Sequence, residues 1–379
     1  MLTILSAVLL MATASCNRGG EPLSETHVVN TSPASLICEA GKTTLSLEVS
    51  ADAAWQAFAS DDCKDWVTGV TPSYSAEPKG TVTITVDENI KKTERAGEIV
   101  IKCGTTRHKV SIVQAGYDPG ETQYTCPLEG YSLVWHDEFD GGEVNTRNWR
   151  FENWNKGWVN NELQYYVAGG EFDGNKTALI DNGVLKIVAM KYSGSAKFNN
   201  STSINGEVIS ARMNTRESWT YGYFEASIQL PKGKGTWPAF WMMPNDQSLG
   251  WPACGEIDIM EEVGVNPDKT SSSVHTKAYN HVQNTQKTAE RLTSGAESGF
   301  HTYALEWTAD YIQTYVDGKK LLRFNNDGKK NNDTWPFNKM FYLTLNLAWG
   351  GDWGGMNGVD ASALPCTMMV DYVRVYQKD

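Results

Sequence analysis

Short runs of alternating apolar and polar residues recur along nearly the whole chain, and a period of two is a strand signal that a helix cannot satisfy. In the first third they are "TTLSLEVS" (43–50), "GTVTITVDEN" (80–89), "GEIVIKCG" (97–104) and "HKVSIVQAG" (108–116). Farther on come "GVLKIVAMKY" (183–192), "EVISARMNT" (207–215), "GYFEASIQLP" (222–231), "FHTYALEWT" (300–308), "YIQTYVDGKKL" (311–321), "MFYLTLNLAWGG" (340–351) and "TMMVDYVRVYQ" (367–377). Asp317-Gly318 is a two-residue hairpin signal. "TAERLTSG" (288–295) is the one passage expected as a short helix.

The runs fall into two groups separated by "YDPGETQYTC" (117–126), which has turn residues and no period. The expected architecture is all-β: a small Ig-like β-sandwich over 26–116, the linker 117–126, and a jelly-roll β-sandwich over 127–379. Before them, the polar, Gly-containing 17–25 reads as a tether. Residues 1–15, "MLTILSAVLLMATAS", form an apolar run too short to span a bilayer and ending in small residues, which reads as a secretion signal. Cys16 follows it directly and resembles the acylated cysteine of a bacterial lipoprotein. The expected location is therefore an outer-membrane or cell-surface lipoprotein, with a periplasmic or secreted protein as the alternative, and membrane contact through the lipid anchor only. Six cysteines remain, at 38, 63, 103, 126, 254 and 366, with no C-x-x-C and no zinc spacing. The first three fall in the N-terminal segment and the last three in the rest of the chain, so at least one thiol in each part stays free unless a bridge joins the two.

The formal net charge of −12 argues against nucleic acid as a partner. Fourteen Trp and 16 Tyr fit a packed β-core, and equally a surface that stacks on sugar rings.

One strand breaks the alternation. In "GEIDIMEEVG" (255–264), Glu256 and Asp258 share a parity, the next residue of that parity is Met260, and two glutamates follow. A solvated acidic edge with Ile257 and Ile259 in the core is one reading. A paired-carboxylate site is the other, and reach separates the partners. Cα atoms four positions apart on a strand are about 13 Å apart. Two Glu side chains reaching about 4 Å each then bring their carboxyls to about 5 Å, the spacing of a retaining glycosidase. Glu262, six positions from Glu256, could approach only to roughly 12 Å. Glu261 has the reach but the wrong parity, and one β-bulge at Ile259-Met260 would correct it.

"GEIDIMEEVG" resembles the signature of glycoside hydrolase family 16 in its bulged, laminarinase-like form, E-x-D-x-x-E. "WHDEFDG" (135–141), "GWVNNELQYY" (157–166), "SARMNT" (210–215), "YGYFEASIQLPKGKGTWPAFWMMP" (221–244), "NLAWGGDWGG" (346–355) and "MMVDYVRVYQ" (368–377) resemble the same family in the same order. The resemblance covers 127–379. It implies Glu256 as nucleophile, Glu261 as general acid/base and Asp258 as the assisting acid between them, with Glu262 a structural or salt-bridge residue. It also implies substrate contacts from Asn161, Glu162, Arg212, Trp237, Trp241, His275, Asn346 and Trp353, with Trp349 narrowing one end of the cleft. No cofactor is expected for catalysis. A structural calcium is implied at Glu138, the Gly183 carbonyl and Asp371. The N-terminal segment resembles the BACON domain of carbohydrate-degrading lipoproteins through Trp55, Trp66, "TVTITVDEN", "ERAGEIVIKCG" and "VSIVQAG", and is expected to be a spacer.

The expected activity is endo-hydrolysis of β-1,3-glucan or mixed-linkage β-1,3/1,4-glucan by a monomer. A β-galactan endo-hydrolase and a non-catalytic glycan-binding lipoprotein are the alternatives.

Overall fold

The computed structural model describes residues 26–89, 91, 93–116 and 124–379. The expected signal with Cys16, the tether, and residues 117–123 of the linker lie outside the described residues. The chain divides into two compact units, Met1–Gly120 and Glu121–Asp379.

The first unit is a sandwich of two sheets. One has the order Val29–Ser32, Thr43–Ala51, Lys79–Val86, Val67–Thr71; the other runs Ser35–Cys38, Thr106–Gln114, Arg95–Cys103, Trp55–Ala59, Tyr74–Ser75. Inward residues of the alternating runs, among them Leu47, Val82, Ile84, Ile99, Ile101 and Ile112, meet around Trp55 in one core. The four long runs read from the sequence are its central strands. The shorter strands lack a clean period and were not anticipated.

The second unit stacks a ten-stranded sheet on a seven-stranded one. The seven-stranded sheet runs Trp149–Phe151, Arg212–Thr215, Phe341–Trp349, Thr236–Pro244, Glu256–Glu261, Lys269–His275, Lys287–Leu292, and every neighbouring pair is antiparallel. The run read as one strand at 207–215 is two. Val208–Ser210 pairs in the first sheet and Arg212–Thr215 in the second, with Ala211 buried between them. The hairpin at Asp317-Gly318 forms, both residues having positive φ (49° and 69°) as a two-residue turn of this kind requires.

The helix expected at 288–295 is absent. Lys287–Leu292 is the edge strand of the seven-stranded sheet, laddered to Lys269–His275. Ala289 packs toward the core while Thr288 and Glu290 face the opposite way. Pairing to a neighbour overrides the helix propensity of Ala-Glu-Arg-Leu. All six described cysteines are free thiols.

Between the sheets lie Phe240, Met242, Ile257, Leu343, Leu345 and Leu347 from the seven-stranded sheet and Phe224, Trp307, Val373 and Val375 from the other, each at 0% exposure. Burying one such aliphatic side chain contributes about 1.5–3 kcal/mol. Just past the acidic strand, Gly264 sits so close to the Gly233–Thr236 turn that a Cβ would lie 2.0 Å from the Gly233 carbonyl oxygen. Backbone cannot yield as a side-chain tip can, so Gly264→Ala is expected to destabilise this unit by about 1–3 kcal/mol. Calorimetric or urea unfolding against wild type measures it; an unchanged midpoint would contradict the packing described.

Candidate active site

One face of the seven-stranded sheet lines a cleft of about 1150 Å³. The acidic strand crosses it, and its register resolves the parity fault. On one side Phe240 pairs with Met260 and Trp241 with Asp258, skipping Ile259. On the other, Asp258 pairs with Ser273 and Glu261 with Ser271. Ile259 and Met260 both turn into the core at 0% exposure. Five steps along the chain, Glu256 to Glu261, therefore occupy four register steps, His275 to Ser271. Glu256, Asp258 and Glu261 all line the cleft. Glu262 falls on the core side at 0% exposure and accepts the Asp268 backbone N–H at 2.6 Å. Of the two roles expected for it, structural or salt-bridge, this main-chain hydrogen bond fits the structural one.

Each acid has its own neighbours. Trp251 Nε1 donates to Glu256 at 3.1 Å. Trp237 Nε1 donates to Glu261 at 3.0 Å. His275 Nε2 lies 3.2 Å from Asp258 Oδ2 and 3.9 Å from Glu256 Oε1. Burial first, and then repulsion from Asp258, push Glu256 and Glu261 up to about 8. Burial alone pushes Asp258 up to about 8. Groups this strongly coupled release protons as a set rather than singly. His275 and Arg212 both draw Glu256 toward the anion, whereas Glu261 feels His275 and the Trp237 donor. Carboxyls this close cannot all ionise together, so one can keep its proton while another is charged, the pair of states that an acid and a nucleophile need.

The expected binding residues largely converge. Trp237 and Trp241, four apart on one strand, line the cleft with Ala239 between them. Trp353 stands edge-on to Trp237, centroids 5.5 Å apart, on a one-turn helix Gly351–Gly354. A buried chain of donors orders the floor. Trp241 Nε1 donates to Asn346 at 2.7 Å, Asn346 to the Tyr166 hydroxyl at 3.1 Å, and Tyr166 to Glu162 at 3.1 Å. Burial raises the Glu162 carboxyl above its ordinary range. The Arg212 guanidinium lies over Trp241 at 4.6 Å and Trp158 at 5.3 Å.

Two expectations fail. Asn161 does not line the cleft; its amide donates to Asp352 at 2.8 Å, and Asn160 takes the lining position. Consecutive left-handed residues, Asn160 and Asn161 (φ 50° and 51°), turn the chain there. Trp349 does not narrow the cleft. It is 2% exposed within the core, and its ring lies 3.0 Å from where a Gly235 Cβ would sit.

The calcium set does not fit as side chains. Both Glu138 oxygens are taken by Arg374, at 2.8 and 2.7 Å, and one also by His136 at 3.1 Å. That leaves the Gly183 carbonyl and the exposed Asp371 carboxylate, against the six to eight oxygens calcium takes.

Sequence reasoning passed over Trp154, Trp158, Trp251 and His281. Trp154 and Trp158 stack at 4.1 Å with 2° between their planes, both partly exposed. Trp251 and His281 are 4.8 Å apart beside Glu256. Trp158 lies within the 157–166 motif, where spacing alone does not set it apart from a core tryptophan.

Residues 173–374 match the family described as Glycosyl hydrolases family 16, and residues 56–115 match the BACON family of N-terminal domains. A β-glucanase of Rhodothermus marinus is 44% identical over 259 residues, covering 65% of this chain and 85% of that protein. The crystal structure of a non-specific endo-β-1,3(4)-glucanase superposes with a TM-score of 0.61 at 46% identity, covering 67% of this chain and 94% of that one. The laminarinase of Rhodothermus marinus gives 0.60 at 43% identity, covering 65% and 97%.

Two outcomes are expected. Trp237→Phe removes the donor that holds down the Glu261 pKa, so the alkaline limb of the pH–activity profile should move upward. A limb that stays in place or moves down would contradict Glu261 as the acid. Burial also pushes Glu262 up to about 8, so it binds its proton more tightly folded than unfolded. Stability is then full below about pH 4 and is lost as pH rises toward the folded value. Glu262→Gln should melt higher than wild type near pH 8 and alike near pH 4, by calorimetry.

Proposed function

The chain belongs to glycoside hydrolase family 16, and from that premise we propose that it is a retaining endo-β-glucanase acting on β-1,3-glucan, mixed-linkage β-1,3/1,4-glucan, or both. The observation that carries the mechanism is the bulge. It leaves Glu256 and Glu261 four register steps apart on the cleft face, which corresponds to about 13 Å between Cα atoms and carboxyls about 5 Å apart when they lean together.

Glu256 as carboxylate attacks the anomeric carbon, and Glu261 delivers its proton to the departing glycosidic oxygen. A glycosyl ester on Glu256 results. Glu261, now ionised, takes a proton from water, which attacks the same carbon and releases Glu256. His275 draws the nucleophile toward its charged form, and Asp258 stands between the two glutamates on the cleft face with His275 beside it. Trp237, Trp241 and Trp353 supply flat apolar faces for the C–H surfaces of the sugars, and Asn346 and Glu162 keep the Trp241 ring oriented. No step calls for a metal.

The substrate class rests on the glucanase relatives and on a cleft that is open to a polymer and lined by aromatic rings. Export accords with a polymer that cannot enter the cell. The finer reading is a surface lipoprotein held by acylated Cys16, with the BACON domain as spacer.

The purified protein is to be assayed on laminarin, barley β-glucan, agarose and carrageenan, with products resolved by chromatography. A ladder of oligosaccharides from one or both glucans and none from the galactans is expected. Glu256→Ala and Glu261→Ala should each lower turnover by roughly 10²–10⁴-fold or more, while Glu262→Gln retains most activity. Loss in Glu262→Gln with retention in Glu261→Ala would overturn the assignment.

A further inference from the structure

Among the described residues, one group outside the cleft brings three potential metal-binding atoms within 4.8 Å of one another: His27, Asp52 and Cys103, in the N-terminal unit. We propose that these residues form a binding site for a zinc-class divalent cation.

The three come from separate segments. His27 lies two residues before the Val29–Ser32 strand, Asp52 just after the Thr43–Ala51 strand, and Cys103 ends the Arg95–Cys103 strand. His27 Nδ1 is 2.9 Å from Asp52 Oδ1, and the Cys103 sulfur is 3.9 Å from that same oxygen. Tetrahedral zinc would set these separations at about 3.4 and about 3.6 Å. The His27–Asp52 separation opens by about half an ångström and the Asp52–Cys103 separation closes by about 0.3 Å to match those values, and all three atoms already lie within 4.8 Å of one another.

Outer contacts fix each group, as metal sites require. The remaining Asp52 oxygen accepts the Val28 N–H at 3.1 Å. The His27 backbone is clamped through both its groups: its N–H donates to Thr106 Oγ1 at 2.9 Å, and its carbonyl accepts from that hydroxyl at 3.1 Å. The ring lies against Gly104, where a Cβ would come within 2.5 Å of it. Cys103 is fully buried and in no disulfide. Among the described residues, another neighbour of hydrogen-bond type is the Ala53 carbonyl, at a weak 3.7 Å. The Asp52 side chain is 47% exposed, which gives an ion its entry path and leaves the fourth position to water.

A thiolate, an imidazole and a carboxylate suit zinc and not the hard cations calcium and magnesium. Binding takes one proton from the Cys103 thiol to solvent. The neutral His27 ring offers Nδ1 once its proton resides on Nε2. Two anionic ligands then balance the divalent charge. The ion would pin the segment leading into the first strand to the far end of a strand of the other sheet.

The full chain, reduced, is titrated with Co²⁺ and then Zn²⁺. The expected result is a thiolate-to-cobalt charge-transfer band that saturates at one equivalent, disappears on adding zinc and is absent in Cys103→Ser. Asp52→Asn, which leaves the cysteine and histidine in place, should weaken binding at least tenfold and serves if Cys103→Ser fails to fold. Laminarin hydrolysis should be unchanged in both variants. No band in the wild type, a band that survives in Cys103→Ser, or unaltered affinity in Asp52→Asn would overturn the site. The carboxylates and His275 of the cleft offer no thiolate, so binding there gives no such band.

Discussion

The architecture of the cleft depends on one extra residue in one strand. A regular strand sends alternate side chains to opposite faces, so Glu256, Asp258 and Met260 would share the cleft and Glu261 would sit in the core. The bulge sends Ile259 and Met260 together into the apolar layer and returns Glu261 to the acids. The same slip carries Glu262 inward. The hydrophobic requirement of the core enforces this. With Met260 buried and Glu261 out, two large apolar side chains gain the interior. In the unbulged register one of them would be in the cleft, and a carboxyl that must open to the substrate would be in the core. Flanking strands on both sides record the shift, so the irregularity is held by two ladders.

Placing three carboxyls together in a half-dry cleft is electrostatically costly, and the surrounding structure offsets only part of the cost. Trp251, Trp237 and His275 each address a different member or edge of the cluster, and every carboxyl still stands well above its ordinary range. A fully compensated set would be wholly ionised near neutrality and would have no acid to give. The remaining imbalance keeps a proton in the cluster. Glu262 carries a similar upward push from burial, with the Asp268 N–H as its contact, and it faces no substrate. A raised carboxyl is therefore a catalytic sign only in combination with the cleft.

Much of this was legible because alternation is a local property. The central strands of both units, the hairpin at Asp317-Gly318 and the bulge itself follow from the parity of neighbouring residues and from reach along a strand. What escaped depends on partners distant in sequence. Lys287–Leu292 has a helical composition and is a strand because Lys269–His275 lies beside it. Trp349 and Trp353 are four apart in the same motif, yet one is core and the other lines the cleft, because Gly350 and Gly351 turn the chain between them with positive φ. Asn160 and Asn161 were distinguishable only once their shared left-handed backbone was known. The Glu138 carboxylate could not be assigned to Arg374 before Asp137 was found opposite Val373.

The same separation of local from distant effects bears on what the cleft admits. Seven carboxyl groups line it against two guanidinium groups, Arg150 and Arg212, among the described residues. Arg212 is already drawn onto the faces of Trp158 and Trp241, and Arg150 onto Tyr342 at 4.9 Å. A polymer carrying sulfates or uronates would bring further negative charge to a cleft where repulsion already raises Glu256 and Glu261. A neutral chain brings none, and its C–H faces match the tryptophans at both ends of the site. Charge thus weighs against the anionic polysaccharides, and the aromatic lining suits the neutral ones.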